Sequence, residues 1–296
     1  MAARTDQLDL IFWLIDELGF KYLKRIQDAI CTHAISGGSW NVLKWCHSNN
    51  FSFTVDCANN AAAQGNLLML QWLLDYGCPC DPYEAFKNAV KSGDLPTIQW
   101  IWDTNKVNTQ SVDACLIAAG RGDLKVLEWV INNGFVWSRS AAIKAAEFGH
   151  LQLLQWAFAN GYSCFGVFTA AARGGHLKIL KLARKNGCVW SCEVCSEAAL
   201  FGHLEVLKWA VANGCPMDEN TCLNAALKGH LNILKWAREN GCPWNGDTCL
   251  YASMERHFEV FEWAVKNGCK WQTPYCIESV EQNGWTEIVQ SWKINK

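Results

Sequence analysis

Sixteen cysteines give this 296-residue chain its most varied potential chemistry, because thiols bind metals, form disulfides and act as nucleophiles. Two local groups resemble half of a metal site: Cys192 with Cys195 in a CxxC, and Cys78 with Cys80 around a proline. Zinc needs four converging ligands, and neither group has a second pair at the spacing of a zinc finger. A helix start also lowers a thiol pKa, so a reactive thiol stays open as an alternative, with ordinary packing favoured.

Most of the cysteines, Cys78 and Cys195 among them, recur at a nearly constant spacing and form two columns. One column is Cys31, Cys57, Cys115, Cys195, Cys222, Cys249 and Cys276, and the other is Cys78, Cys188, Cys215, Cys242 and Cys269. Stacked helices place equivalent residues roughly 8 to 10 Å apart, whereas a disulfide needs Cα atoms within about 7 Å. The columns therefore predict buried apolar packing and no disulfides.

Five histidines recur in the same way: His150, His176, His203, His230 and His257. A row of imidazoles suggests a metal ladder, but a spacing of one repeat is far longer than two metal bonds can bridge. Each histidine also occupies the helix-start position that Asn66, Asp94 and Asp123 fill elsewhere. We therefore expect the histidines to act as helix caps.

Neither the motifs nor the charge point to catalysis or to nucleic acid. The sequence has no nucleophile elbow, phosphate-binding glycine loop or HExxH motif. We expect no catalytic residue, no cofactor and no metal. Formal net charge is −2 and pI is about 6.4, which provides no excess of cations for nucleic acid or an anionic membrane.

The first residues contain an apolar stretch, Leu8 to Leu18, that Asp9, Asp16 and Glu17 interrupt. No small-residue cleavage site follows, so residues 6–20 predict an amphipathic capping helix and neither a signal peptide nor a membrane span. Without an export signal, the cysteines favour a reducing cytoplasm over a secreted disulfide scaffold.

One phrase, such as GHLEVLKW at Gly202 or GHLNILKW at Gly229, recurs along the whole chain. Its first residue, called the marker position below, falls at Gly38, Gly65, Gly93, Gly122, Gly149, Gly175, Gly202, Gly229, Arg256 and Gly284. Self-similarity with a period of 26 to 29 residues is typical of a solenoid or a propeller.

The pattern within each repeat predicts two short helices. After Gly202, a helical period puts Val206, Leu207 and Ala210 on one face, with Leu204 and Trp209 on its flanks. The preceding half has alanine four residues before the marker: Ala34, Ala61, Ala89, Ala118, Ala145, Ala171, Ala198, Ala225 and Ala252. The marker glycine ends the first helix in a left-handed conformation, and a second glycine turn, NGCPW at 240–244, follows the second helix.

Residues 221–245, TCLNAALKGHLNILKWARENGCPWN, resemble the ankyrin motif TPLHLAA, two variable residues, GHLEIVKLLLEAGADVN. The resemblance implies an all-α, ankyrin-like α-solenoid of stacked helix-turn-helix repeats. We expect one domain, 1–296, with the cap at 6–20 and about ten repeats at 21–296. The period is about six residues shorter than the usual 33, which implies that the β-hairpin finger is trimmed to a turn.

The resemblance further implies a scaffold that binds a partner protein and has no catalytic residues. Short, Trp-rich repeats of this kind look like the ankyrin proteins of giant DNA viruses, which suggests a host-virus interaction in host cytoplasm. A monomer that binds neither nucleic acid nor membrane is expected. The alternatives are a substrate-recognition subunit of a ubiquitin ligase, and a redox protein that uses its thiols.

The two positions before the marker vary between repeats, and by resemblance they lie on or beside the concave groove. We hypothesise an apolar patch flanked by cations, suited to an acidic and hydrophobic partner, made of Arg121, Glu147, Phe148, Arg173, Leu200, Phe201, Leu227 and Lys228. The alternative is that these apolar groups cover the adjoining repeat. Turn tryptophans such as Trp190 and Trp244 are expected to pack between repeats or to contact a partner.

Overall fold

A computed structural model describes residues 24–105 and 113–287, together with Ala3, Ile11, Val107 and Gln290. Apart from Ile11, the capping helix predicted for residues 6–20 lies outside this part of the chain. Contacts divide the chain into two units, residues 1–138 and 139–296, which are described separately. The single domain expected for 1–296 stays a prediction.

The first unit contains four pairs of helices. Their bounds are α1 Lys24–Gly37, α2 Trp40–Ser48, α3 Val55–Ala63, α4 Leu67–Asp75, α5 Pro82–Ser92, α6 Leu95–Asn105, α7 Ala114–Arg121 and α8 Leu124–Asn132.

The second unit continues the same alternation. Its helices are α9 Arg139–Glu147, α10 Leu151–Ala159, α11 Val167–Arg173, α12 Leu177–Lys185, α13 Glu193–Leu200, α14 Leu204–Ala212, α15 Glu219–Leu227, α16 Leu231–Glu239, α17 Gly246–Met254, α18 Phe258–Lys266 and α19 Pro274–Gln282.

Within each unit the helices form a continuous stack. The two helices of a pair pack together, and the first helices of successive pairs pack on one another, as do most of the second helices. The described residues contain no strand. Each unit is therefore a stretch of all-α solenoid made of helix-turn-helix repeats, as the sequence predicts.

The second helices bury the face that the helical period selects. In α14, Val206, Leu207 and Ala210 are at most 2% exposed, while Leu204 and Trp209 on the flanks are half-buried. An isolated helix of nine residues is unstable in water. Burial of this apolar face against neighbouring pairs therefore stabilises each repeat.

The first helices approach one another closely because small residues line their contact. All nine alanines of the predicted column are fully buried, and a second alanine follows most of them, as Ala199 follows Ala198. A side chain larger than a methyl at these positions would separate neighbouring repeats. The alanine column is thus confirmed as the packing seam of the first helices.

The turn between the two helices has the left-handed residue that the marker position predicts. The nine marker glycines and the one arginine, Arg256, have φ between 61° and 83°. The next residue caps the second helix in several repeats of the first unit: Asn66 accepts from the Met69 N–H at 3.1 Å and Asp123 from the Val126 N–H at 3.0 Å.

The five histidines that follow the marker position do not cap their helices, so that prediction is wrong. None of their side chains bonds to its own helix start. The His203 Nε2–H instead donates to the Arg173 carbonyl of the preceding repeat at 3.0 Å. The longer imidazole reaches across the repeat boundary, over a glycine that has no side chain to obstruct it.

Four contacts of this kind connect successive repeats of the second unit. A Cβ built on the marker glycine would lie 2.6 to 3.0 Å from the imidazole of the next repeat, for the pairs Gly149 with His176, Gly175 with His203, Gly202 with His230 and Gly229 with His257. The marker glycine therefore serves two purposes, the left-handed turn and the seat for a ring.

We expect Gly175→Ala to destabilise the protein more than Gly187→Ala does. Both glycines have φ of 75°, so both variants incur the left-handed strain of an L-residue, about 1–2 kcal/mol. Only the new methyl at position 175 meets a side chain, at 2.6 Å from His203, which adds roughly 1–3 kcal/mol of overpacking. Urea titration measures both free energies of unfolding, and Gly175→Ala with His203→Ala should recover part of the loss. Equal losses for the two single variants would contradict the contact.

Acidification should destabilise the second unit through His230. Burial lowers the pKa of His230 from its ordinary value of 6.5. Between the lowered pKa and 6.5 the unfolded chain binds more protons than the folded one, so stability falls as pH drops below about 6.5. His230→Asn should reduce this loss between pH 7.5 and 5, as measured by urea unfolding. An unchanged pH dependence in that variant would refute the role of this imidazole.

Candidate protein-binding site

The positions before the marker lie at the ends of the first helices, where the alanine seam gives way to solvent. Phe148 is 53% exposed and Phe201 is 47% exposed. Leu200 and Leu227 are half-buried, and Lys228 is exposed. The two phenylalanines thus only partly cover neighbouring groups, and about half of each remains in contact with water.

The charges of this surface are largely balanced among themselves. Arg173 lies between two carboxylates: its Nε is 3.1 Å from Glu197 Oε2, and its Nη1 is 3.9 Å from Glu147 Oε1. The hydrogen bond with Glu197 is the main cause of a raised pKa for Arg173. Lys144 also pairs with Glu147, at 3.2 Å. Arg173 is therefore already partnered within the surface.

Cations also lie against the exposed aromatic rings. The Lys144 Nζ is 4.7 Å from the centroid of the Phe148 ring, and the Arg173 guanidinium is 6.0 Å from that of Phe201. Each exposed contact of this kind is worth roughly 0.5–1 kcal/mol. Each ring therefore has a cation beside it and about half of its surface in water.

The backbone under these side chains is fixed by the histidines of the following repeats. The carbonyls of Glu147, Arg173 and Leu200 accept hydrogen bonds from His176, His203 and His230. The helix ends that present Phe148 and Phe201 are consequently tied to the next repeat. Sequence analysis missed this link because it assigned the imidazoles to their own helices.

Arg121, the candidate residue in the first unit, is exposed but engaged. Its guanidinium donates to the Lys91 carbonyl of the preceding repeat, and it lies over Gly93, whose Cβ would be 2.6 Å from Nη2. Arg121 thus makes in the first unit the contact that the histidines make in the second. The remaining candidates, Glu147 to Lys228, all belong to the second unit.

A cavity of about 730 Å³ opens among the first helices of the second unit. Ile143 of α9, Thr169 and Arg173 of α11 and Glu193 of α13 line it, with Trp190 from a turn. Sequence analysis did not identify it. The sequence feature that points to the cavity is an irregular repeat. The repeat between Gly149 and Gly175 has 26 residues, and it has Cys164 at the turn position where its neighbours have a tryptophan or another large residue.

The cysteine columns form internal contacts. The Cys242 Sγ donates to the Asp218 carbonyl of the preceding repeat at 3.2 Å. The same kind of bond, each to a carbonyl of the preceding repeat, is made by Cys78, Cys215 and Cys269. Burial raises the pKa of Cys78 and of Cys115 to about 12. Except for Cys188, the columns consist of buried free cysteines, as the packing interpretation predicts, while hydrogen bonds with neighbouring thiols lower the pKa of Cys215, Cys242 and Cys269.

The expectation that the columns contain no disulfide is wrong for Cys188. It is bonded to Cys164, with the Cα atoms 6.0 Å apart. The distance argument holds for residues in equivalent positions of two repeats. Cys164 instead occupies the turn position of the tryptophans, and this position in one repeat lies close to the turn cysteine of the next.

The two local thiol groups show no sign of a metal site or of an activated thiol. A hydrogen bond with Asp218 raises the pKa of Cys192, and burial raises that of Cys80. Within the described part of the chain, no three histidine, cysteine or carboxylate side chains lie together as metal ligands would.

Turn tryptophans lie between repeats and stay partly exposed. The Trp190 ring contacts Phe168 at 5.1 Å and Trp209 of the following repeat at 5.7 Å, and Arg184 covers it at 4.5 Å. The Trp244 ring has the same arrangement with Trp263. Packing between repeats is thus confirmed for these two rings.

No protein-family model matches the chain. No curated protein matches it either. Among solved structures, the chain is similar to the ankyrin repeat domain of human ASB11, with 18% sequence identity, a TM-score of 0.45, and coverage of 54% of this chain and 85% of that one. The fold assignment rests on the helix pairs themselves.

In the described ranges, every helix is too short or too polar to cross a bilayer.

Iodoacetamide should modify the native protein first at Cys80 and Cys192, the free cysteines that are only partly buried. Their raised pKa values leave little thiolate at pH 7, so the rate should increase with pH. Peptide mapping by mass spectrometry identifies the sites, and labelling in guanidinium chloride provides the control in which all free thiols react. Fast native labelling of Cys242, or labelling of Cys164 without a reductant, would contradict this account.

Proposed function

We propose that the chain is a protein-interaction scaffold that binds a partner protein through the exposed ends of its first helices in the second unit. The observation that carries the proposal is the pair of half-exposed phenylalanines, Phe148 and Phe201, on helix ends that neighbouring repeats hold in place. Ankyrin-like repeat folds typically serve as binding scaffolds without enzymatic activity.

The energetic argument rests on the apolar area that a partner would cover. Burying a whole Phe side chain stabilises by about 1.5–3 kcal/mol, and close to half of that remains available at each ring. Aromatic side chains surrounded by polar groups are the usual anchors of an interface. Here Lys144, Glu147, Arg173 and Glu197 supply the polar surroundings.

Rigidity favours binding because an ordered surface loses little entropy when a partner docks. The imidazole bonds fix the backbone, and the cation contacts fix the rings. The balanced charges indicate that apolar contact supplies most of the affinity. On the side of α13 and α15, the proposed surface continues with Leu200, Leu227 and Lys228. The remaining candidate, Arg121, belongs to the first unit.

The finer features of the proposal come from the sequence. We propose a monomer without cofactor or metal that acts in the cytoplasm, where fourteen free thiols are compatible with a reducing environment. The resemblance to short, Trp-rich repeats of giant DNA viruses supports a virus-encoded protein that masks or recruits a host protein.

Replacing both Phe148 and Phe201 by serine should abolish capture of the partner without unfolding the protein. About half of each ring is already in water, so the substitutions remove less buried area than changes in the core would, and the circular dichroism spectrum should not change. Affinity capture from a lysate of the natural host, with quantitative mass spectrometry of the bound chains, measures the effect. The matched control is Leu68→Ser, since Leu68 is 71% exposed on a second helix of the first unit.

Partner chains that bind wild type and Leu68→Ser, but not the double variant, would support the assignment of this surface. Equal capture by all three proteins would contradict it. Recovery of ubiquitin ligase components along with the partner would favour the alternative role as a substrate-recognition subunit.

A further inference from the structure

The cavity of the second unit exists because one repeat is irregular. Helix α11 has seven residues and begins at Val167, after Gly166 in a left-handed conformation with φ of 80°. A Cβ at Gly166 would lie 2.9 Å from Ile143 Cδ1, so the turn fits closely against α9. Cys164 stands at the turn position where the neighbouring repeats have Trp137 and Trp190, and it lines the cavity.

The mouth of this cavity carries apolar side chains that the fold leaves in water. Phe165 is 61% exposed and Val189 is 91% exposed, and both line the cavity. The disulfide between Cys164 and Cys188 joins the two turns to which these residues belong.

The charges at the cavity differ from one end to the other. At the α9 end, the Arg139 guanidinium lies 3.6 Å from the centroid of the Phe165 ring, and no carboxylate of the described chain forms an ion pair with it. At the α13 end, the exposed Glu193 lines the opposite wall. Arg173, between them, is already balanced by two glutamates.

We propose that this cavity is a socket for a segment of a partner protein that carries a bulky apolar side chain with a carboxylate beside it. The apolar side chain enters between Ile143, Thr169 and Trp190. The carboxylate pairs with Arg139, whose planar guanidinium is already oriented by the Phe165 ring. Glu193 repels a carboxylate at the other end and so fixes the direction of the segment.

The volume agrees with this occupant. Sites that enclose small ligands or single anchoring groups measure about 300–1,000 Å³. A cavity of about 730 Å³ lies within this range and has room for a bulky apolar side chain together with neighbouring residues of the segment. The inference rests on the proposed function, because the socket is part of the same partner-binding face through Arg173.

The test uses a phage-displayed library of random twelve-residue peptides, selected against the full chain. We expect selected peptides to share a bulky apolar residue within two positions of Asp or Glu. Fluorescence polarisation of a labelled peptide then measures affinity for the variants. Thr169→Phe fills the socket, and Leu223→Phe is the matched control at the equivalent position of a regular repeat.

Thr169→Phe and Arg139→Glu should each weaken binding by about tenfold or more, while Leu223→Phe should leave it within about twofold. A repeat selection on Arg139→Glu should lose the acidic preference. Peptides with no apolar and acidic pattern, or binding that Thr169→Phe does not change, would overturn the socket. Peptides rich in basic residues would show that Glu193 is the recognising group and would also overturn it.

The failure of the socket is distinguishable from failure of the proposed function. If the double serine variant at 148 and 201 loses its protein partner while Thr169→Phe keeps it, the face binds proteins and the socket is not used. If neither change affects the partner, the proposed face itself is wrong.

Discussion

None of the helices described in the second unit is long enough to persist alone in water, so burial between neighbouring pairs is the constraint on which that structure depends. A buried alanine in every first helix of this unit except α19, which has Val280 there, satisfies the constraint on one side of each pair, and residues such as Leu207 satisfy it on the other. Positions that take part in neither contact are free to vary. The exposed Phe148 and Phe201 occur among these positions, which links the packing of the repeats to the place where a partner can bind.

The imidazole bonds connect stability with recognition. Three of the four rings that lie over a marker glycine also bind the carbonyl of a residue in the candidate surface, as His203 binds Arg173. Loosening the repeat boundary would therefore move the helix end that presents the candidate side chains. Repeat proteins couple mainly nearest neighbours, so such an effect should stay local to two adjoining repeats.

The repetitive features of the fold were predictable from the sequence because the same residue type recurs wherever the repeats make the same contact. The alanine column, the core face of Val206, Leu207 and Ala210, and the left-handed marker residues are all where the periodicity predicts them. Contacts between different positions of two repeats were not predictable in this way. The imidazole over the glycine and the bond from Cys164 to Cys188 both depend on the geometry of the boundary, which a column of equivalent residues does not contain.

The candidate site was predictable only in outline. Internal variability identified the exposed end of the first helices, but it did not reveal that Glu147 and Glu197 balance Arg173. The cavity at Arg139 and Phe165 arises from a single irregular repeat, and averaging over copies removes such a feature. A repeat that departs from the common length therefore provides more information about function than the variable residues of regular repeats.

The contact between an imidazole and the bare glycine one repeat earlier has a consequence for how such a gene can change its length. The one marker with a side chain, Arg256, precedes a repeat that has Trp285 in place of the histidine, so this side chain faces no imidazole. Duplication or loss of entire units among those with Gly and His preserves every such pairing without further mutation. Unequal recombination can thus lengthen or shorten this part of the array in steps that leave each new junction ready to fold.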